Sequence, residues 1–223
     1  SDPRGSGAWG DVVPGGCGQA VCGITRTNVT VFDEAVSRRR DKRRFHFVGG
    51  PQSLRFDKIL DAFLLWSGRR VEVRDAYLRT FSSFEELKEL AEQTEDAELR
   101  MLVKVVDKYR DGIPELIEEI EAKHQDASEF GSAGLRGFEG IVFCTAHKSK
   151  GLEFEQVILT DDYAGLFDPE DKGRPLGPGE IAAEDVNLLY VAITRARRAL
   201  QMNAELTRWV GMVRAERRAL EPA

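Results

Sequence analysis

The chain has 223 residues, 42% of them hydrophobic and 31% charged, with 32 Lys and Arg against 38 Asp and Glu for a formal net charge of −6. That composition fits a soluble globular fold, long enough for one ordinary domain or two small ones. No run of about 18 apolar residues offers a membrane helix, and Ser1 to Gly10 lacks the basic start and apolar core of a secretory signal, so an intracellular protein with no membrane partner is expected.

Cys17, Cys22 and Cys144 cannot all pair, and His46, His124 and His147 lie too far apart in sequence for zinc-ligand spacing. Idle or buried thiols in a reducing compartment, and no metal site, are the expectation. The missing initiator Met and the Gly-rich opening suggest a piece of a longer product.

In chain order, residues 1–20 are rich in Gly and without apolar periodicity, which predicts a disordered lead-in. Val21 to Thr27 reads as a short strand. Asn28 or Thr30 then caps a helix to about Arg39, with Val31, Phe32, Ala35 and Val36 inward. Phe45 to Val48 predicts a second strand running into the turn Gly49-Gly50-Pro51, and Leu54, Ile59, Leu60, Phe63, Leu64 and Trp66 recur at helical spacing. Three amphipathic stripes follow: Phe84, Leu87, Leu90 and Ala91; Leu99, Leu102, Val103, Val106 and Tyr109; and Ile113, Leu116, Ile117 and Ile120, with Pro114 in a first turn. Gly140 to Cys144 and Gln156 to Leu159 are apolar runs of the kind buried in a parallel sheet. A Gly- and Pro-rich loop, Asp168 to Gly179, precedes a helix from Ala182 to Arg195, then a strand at Leu200 to Met202 and a helix from Glu205 to Leu220. Strands and helices thus flank a helical insertion, an α/β layer interrupted by a small all-helical subdomain.

Charge follows the same division. Arg70 to Glu129 holds 17 acidic and 9 basic residues, whereas the C-terminal stretch is basic, with Arg195, Arg197, Arg198, Arg208, Arg214, Arg217 and Arg218. The acidic helices carry no clustered His, Cys or Ser chemistry and read as an interaction or spacer subdomain. A basic stretch reads as a solvated face or as a surface for phosphates.

Two stretches carry chemistry. In Thr145-Ala-His-Lys-Ser-Lys-Gly-Leu-Glu-Phe154 a strand ends in a small, polar loop with two lysines and a Gly, so backbone N–H and ammonium groups can both meet phosphate oxygens. In Asn187-Leu-Leu-Tyr-Val-Ala-Ile-Thr-Arg-Ala196 an apolar helix carries Thr194-Arg195 near its end, where a guanidinium could reach an anion across an interface.

Together these stretches resemble motifs V and VI of the UvrD, PcrA and Rep type of superfamily 1 DNA helicases, and ITRTN at Ile24 to Asn28 with FVGG at Phe47 to Gly50 resembles the motifs that precede that family's 2B insertion. RTNVTVFDEAV, VVDKYRDGIPELIEEIE and Asp161-Asp162 after VILT are similar to the eukaryotic F-box DNA helicase branch. The resemblance implies a RecA-like parallel sheet, the second helicase domain 2A, interrupted by a small all-helical 2B-like insertion. Its parts would be 21–66 and 131–206 for domain 2A, 67–130 for the insertion, and 207–223 for a C-terminal helix and tail. It further implies that Arg195 is an arginine finger on the γ-phosphate of ATP, that Glu153 meets the nucleotide ribose, and that Lys150 and Gly151 couple nucleotide to DNA. Asn28, Thr145, His147 and, more weakly, Lys58 would lie along single-stranded DNA. Tyr190 is expected to pack the motif helix, Cys144 to be core, and Trp9, Trp66 and Trp209 to be core or incidental.

A G-x-x-x-x-G-K-[ST] phosphate loop is absent from the 223 residues, and Phe32-Asp33-Glu34-Ala35, which imitates a Walker B segment, falls on a predicted helix. ATP and Mg²⁺ would therefore be held mainly by a first RecA-like domain, without which this chain is expected to be inactive. The resemblance implies an ATP-dependent 3′ to 5′ translocase in recombination and repair, with single-stranded DNA and that first domain as partners. It also implies a nuclear location and a link to ubiquitin ligase components through an F-box that this sequence lacks. A stand-alone nucleic-acid-binding or regulatory module without a motor is the competing reading, and the coding sequence upstream of Ser1 separates the two.

Overall fold

The computed structural model describes residues 20–94, 96–129, 135, 138–163, 165–171, 173–177 and 179–220. The lead-in expected over 1–20, with Trp9 and Cys17, lies outside the described residues apart from Ala20. The strands are β1 (Val21–Thr25), β2 (Phe45–Phe47), β3 (Ile141–Thr145), β4 (Phe154–Leu159) and β5 (Ala196–Gln201). They form a five-stranded sheet in the order β2-β3-β1-β4-β5, in which β2 with β3, β1 with β4, and β4 with β5 pair in parallel. The expected α/β class with a parallel, RecA-like sheet is what is found.

The chain separates into two compact units: Thr27–Phe143, and the residues up to Arg26 together with those from Cys144 onward. Strand β3 contributes to both.

The first unit holds helices α1 (Asn28–Ser37), α2 (Phe56–Trp66), α3 (Phe84–Gln93), α4 (Ala97–Tyr109) and α5 (Ile113–Glu121) with β2. The cap of α1 is Thr27 rather than Asn28 or Thr30: its hydroxyl accepts the Thr30 N–H at 3.1 Å. Ser83 and Asp96 cap α3 and α4 in the same way. Val29 to Val36 are all buried, so α1 is enclosed on every side. The Walker-like Asp33 lies on this helix and takes the Lys108 ammonium at 2.6 Å and the Tyr109 hydroxyl at 2.7 Å, which gives it a structural partner set. Asp61, also buried, accepts the N–H groups of Arg74 and Asp75 at 3.1 and 2.6 Å and so pins the segment after α2.

A chain of aromatic contacts forms this unit's core. Phe47 stacks on Phe143 at 5.6 Å and meets Phe56 edge-on at 5.7 Å; Phe56 meets Phe32 at 5.7 Å, and Phe32 meets Tyr109 at 5.9 Å. Five elements are thereby joined through contacts worth about 0.5–1.5 kcal/mol each beyond their burial.

The free edge of β2 is covered by the residues after α5. Phe45 N–H donates to Lys123 O at 2.9 Å, Gln125 N–H donates to Phe45 O at 2.8 Å, and Phe47 N–H donates to His124 Nδ1 at 3.2 Å. Burial, and then the neighbouring His46, hold the His124 pKa below its ordinary value of 6.5, against smaller opposing effects of Asp126 and Glu129.

The second unit holds β1, β4, β5, the carboxyl end of β3, and helices α6 (Ala183–Ile193) and α7 (Ala204–Leu220). The strand expected at Leu200 begins earlier, at Ala196, because an edge strand can carry exposed arginines and so lacks an apolar run. Cys22 and Cys144 are buried, with sulfurs 3.6 Å apart, and burial raises the Cys22 thiol pKa.

Two outcomes follow. Phe47→Ala should cost about 3–5 kcal/mol in chemical denaturation, because it removes one ring from a packed chain; a cost under about 1 kcal/mol would mean that the chain of rings is not the core. The His124 proton binds less well in the folded than in the unfolded state, so its contribution to stability is complete above pH 6.5 and is lost as the pH falls below it. Melting temperatures between pH 5 and 7 should therefore rise with pH, and His124→Asn should flatten that slope; an unchanged slope in the variant would exclude His124 as its source.

Candidate functional site

Three loops leave the carboxyl ends of β1, β3 and β4, the side of a parallel sheet where ligands usually bind. Carbonyls at the end of β1 tie them together. Thr25 O accepts Ala146 N–H at 2.9 Å and Tyr163 O–H at 3.1 Å, and Ile24 O accepts the Thr160 N–H at 3.3 Å and hydroxyl at 3.2 Å. Arg26 N–H donates to Asp162 at 2.8 Å, and the Arg26 guanidinium pairs with Asp185 of α6 at 2.5 Å. Asn203, capping α7, donates to the carbonyls of Thr160 and Tyr163.

The motif V loop is rooted inward and exposed at its tip. Thr145 is buried, its carbonyl accepts Ser149 N–H at 3.0 Å, and its hydroxyl meets Lys148 N–H at 3.4 Å. Fully buried Ser149 donates through its hydroxyl to Ala146 O at 2.8 Å. His147, Lys150, Gly151 and Glu153 are exposed, and partial burial lowers the pKa of Lys148. The row of phosphate-ready N–H groups expected here is not found: those of Lys148, Ser149, Lys150 and Leu152 are all taken inside the turn, because tight turns consume their own donors. Gly151 sits at φ +80 with open space where a Cβ would stand, so the backbone conformation is what demands glycine.

Thr194 and Arg195 of motif VI follow the helix rather than lying in it. α6 ends at Ile193, Thr194 is its C-cap, and the Thr194 hydroxyl donates back to the carbonyls of Tyr190 and Val191. The Arg195 guanidinium donates from Nε to Val191 O at 3.0 Å, from Nη1 to Leu152 O at 3.1 Å, and from Nη2 to the Thr194 hydroxyl at 3.0 Å. Phe154 N–H returns a bond to Arg195 O at 2.9 Å. Arg195 is therefore a clasp between the end of motif V and motif VI. Its acceptors are all neutral, and two of its five N–H groups remain for an anion.

Glu153 faces Arg197 at 3.6 Å, with Glu155 beside it at 3.8 Å. Tyr190 departs from its expected packing role: its side chain is 68% exposed, because α6 buries only Leu188 and Ala192. Trp209 donates to Leu176 O and lines an apolar hollow of about 230 Å³ with Tyr163, Leu166 and Leu189, while Trp66 stacks on Phe63.

The remaining two site candidates lie in the helical unit. Asn28 is the first residue of α1, and its Oδ1 is buried with no hydrogen-bond partner among the described residues. Lys58 donates to Glu98 at 2.9 Å, so its charge is already matched. Sequence reading gave no coupling role to Arg26 and Asp162, though both fall in its motif stretches, and passed over Asp185; the three couple the loops through pairs far apart in the chain. Among the described residues no group of three or more His, Cys, Asp or Glu side chains is placed to hold a metal ion.

Residues 35–206 match the UvrD-like helicase C-terminal domain. The chain is 31% identical over 199 residues, 82% of its length, to F-box DNA helicase 1 of Gallus gallus, and 34% identical over 59% of its length to F-box DNA helicase protein 1 of Schizosaccharomyces pombe. A putative ATP-dependent DNA helicase of Bacillus subtilis is 32% identical over 48% of the chain. The chain spans 19%, 14% and 14% of the lengths of these relatives. The parallel sheet, the motif order along it and the match across most of its length make this chain a member of the UvrD-like helicase C-terminal domain family.

Proposed function

We propose that the chain is the C-terminal, RecA-like half of an ATP-driven DNA translocase, with Arg195 as the arginine finger that it offers to a nucleotide held mainly by a first RecA-like domain. The observation that carries this reading is the guanidinium of Arg195. It is oriented by three neutral acceptors, keeps an unmatched positive charge, and is bonded to the motif V loop through Leu152 O. When bound, ATP supplies a transferable γ-phosphoryl group whose developing charge a guanidinium stabilises.

The residues of this chain then act in two ways. Arg195 holds its head group in a fixed direction at the end of α6, and turning it toward an anion breaks the bond to Leu152 O. That releases the carboxyl end of the loop whose tip carries His147 and Lys150. A change at the nucleotide side thereby alters the grip of the loop on a DNA backbone. Thr145 roots the loop, Gly151 permits its turn, and Glu153 stands beside the loop for the ribose role. Asn28, half-buried at the first position of α1, is a further DNA contact, whereas Lys58 is engaged by Glu98 and is not part of this reading.

The 3′ to 5′ direction, a role in repair and recombination, a nuclear location and a partnership with ubiquitin ligase components rest on the likeness to the F-box DNA helicases. No helix of the described residues is long and apolar enough to cross a membrane.

In an enzyme containing both RecA-like domains, Arg195→Ala should lower the ATPase kcat by about 10³ or more, with single-stranded DNA affinity nearly intact and no rescue by Arg195→Lys. An unchanged kcat would remove Arg195 from the site. For the loop, His147→Ala and Lys150→Ala should weaken single-stranded DNA binding equally on mixed and homopolymer strands, since backbone contacts carry no base information. Thr145→Ala should instead lower the melting temperature. Undiminished affinity in the His147 and Lys150 variants would mean that the loop is packing and not a grip.

A further inference from the structure

The turn between α1 and β2 reads Arg38-Arg39-Arg40-Asp41-Lys42-Arg43-Arg44, six cations and one anion in seven residues. It lies in a unit whose helices are acidic, and the motor reading makes no use of it. Its cations divide into two sets. Arg38 is 8% exposed; Arg39 pairs with Glu119 at 3.4 Å and donates to Val36 O, and Arg43 faces Asp41 at 3.6 Å. Arg40, Lys42 and Arg44 are exposed, and among the described residues no carboxylate is paired with them.

Complementing the carboxyl end of the α1 dipole accounts for Arg39, whose guanidinium donates to Val36 O. It does not account for Lys42 and Arg44, which lie beyond the final turn. The backbone that presents the exposed set is fixed at both ends. Arg38 N–H donates to Glu34 O, Asp41 N–H to Arg38 O at 2.8 Å, and Ile141 N–H to Arg44 O at 3.0 Å. From the side, Lys123 donates to the Asp41 carbonyl and lies 5.0 Å over the Phe45 ring.

We propose that Arg40, Lys42 and Arg44 form a second nucleic-acid contact that grips a phosphodiester backbone independently of the motif V loop. Three cations without carboxylate partners, held on a fixed turn, suit a row of phosphates, where affinity comes from released counterions and needs no base contact. A K/R-rich heptamer is also the kind of segment that a receptor takes as an extended strand. This one is tied into a helix end and a sheet edge, so it would have to be pulled apart first. The inference shares with the proposed function only the class of ligand.

The test is fluorescence anisotropy of the 223-residue chain with labelled single-stranded and duplex DNA, titrated between 50 and 200 mM salt. Arg40→Ala/Lys42→Ala/Arg44→Ala should weaken binding by roughly tenfold or more at the low-salt end. It should also reduce the slope of log K against log salt by about 2.7 for duplex or about 2.1 for a single strand, and the strand form showing that change identifies the source of the phosphates. Melting temperature should be unchanged, and Arg40→Lys/Arg44→Lys should retain the slope. A control removing as much charge elsewhere in the same unit, Arg74→Ala/Lys88→Ala/Lys104→Ala, should leave the slope alone. Equal loss in that control, or an unaltered slope in the turn variant, would overturn the proposal. So would loss of binding to phosphatidylserine-containing vesicles with DNA binding intact, which would assign the turn to an anionic membrane. His147→Ala run in parallel keeps the two readings apart: loss in the turn variant alone supports the turn and refutes the loop grip, and loss in His147→Ala alone does the reverse.

Discussion

Everything in the motif-bearing unit depends on the carbonyl oxygens at the end of β1. Parallel strands send their connections to opposite ends of the sheet, so the loops after β1, β3 and β4 emerge on one side with nothing in the ladder to hold them. Thr25 O and Ile24 O supply that hold by accepting hydrogen bonds from Ala146, Thr160 and Tyr163. Each bond contributes about 1 kcal/mol net, but an unpaired buried carbonyl costs more than a bond contributes, so the set is self-enforcing. With its root fixed, the motif V loop can leave His147 and Lys150 in solvent without losing its course.

The same accounting separates structural cations from those open to a ligand. Lys108 answers a buried carboxylate, Asp33, and Lys58 meets Glu98; each is balanced inside its own unit. Arg195 is different in kind. It makes as many hydrogen bonds as a guanidinium in an ion pair would, but to neutral oxygens, so orientation is obtained without neutralising the charge. An arginine finger, the role proposed for Arg195, needs that combination. Fixed geometry alone would serve a purely structural arginine equally well, and free charge alone would serve any solvated one.

In the helical unit the organising element is the run of aromatic rings from Phe143 to Tyr109, because it crosses from strand to helix to helix without a polar interruption. Polar groups enter only at its margins, where Asp33 and Asp61 are each met by specific donors and where His124 covers the β2 edge. Protonating His124 at Nδ1 would set a donor against the Phe47 N–H. The edge cover and the end of the aromatic run thus answer to the same proton.

The sequence by itself determined the elements whose signal is local. Strands β3 and β4 are legible as apolar runs because both their faces are buried, the acidic helices are legible from apolar residues at helical spacing, and the motif residues of Arg195 and Thr145 to Glu153 are legible from their order along the chain. Tertiary structure decided whatever depends on a partner far away in sequence. Strand β5 begins at Ala196 because β4 offers it an edge, a fact that Arg197 and Arg198 conceal. Thr145 turns inward and Tyr190 outward because of what packs on each, and periodicity cannot say which face of a motif is covered. Nor can it say that Lys58 meets Glu98, or that Arg195 reaches Leu152. A side chain's charge is written in its residue type, but whether that charge is matched depends on which neighbours the fold brings within about 3 Å.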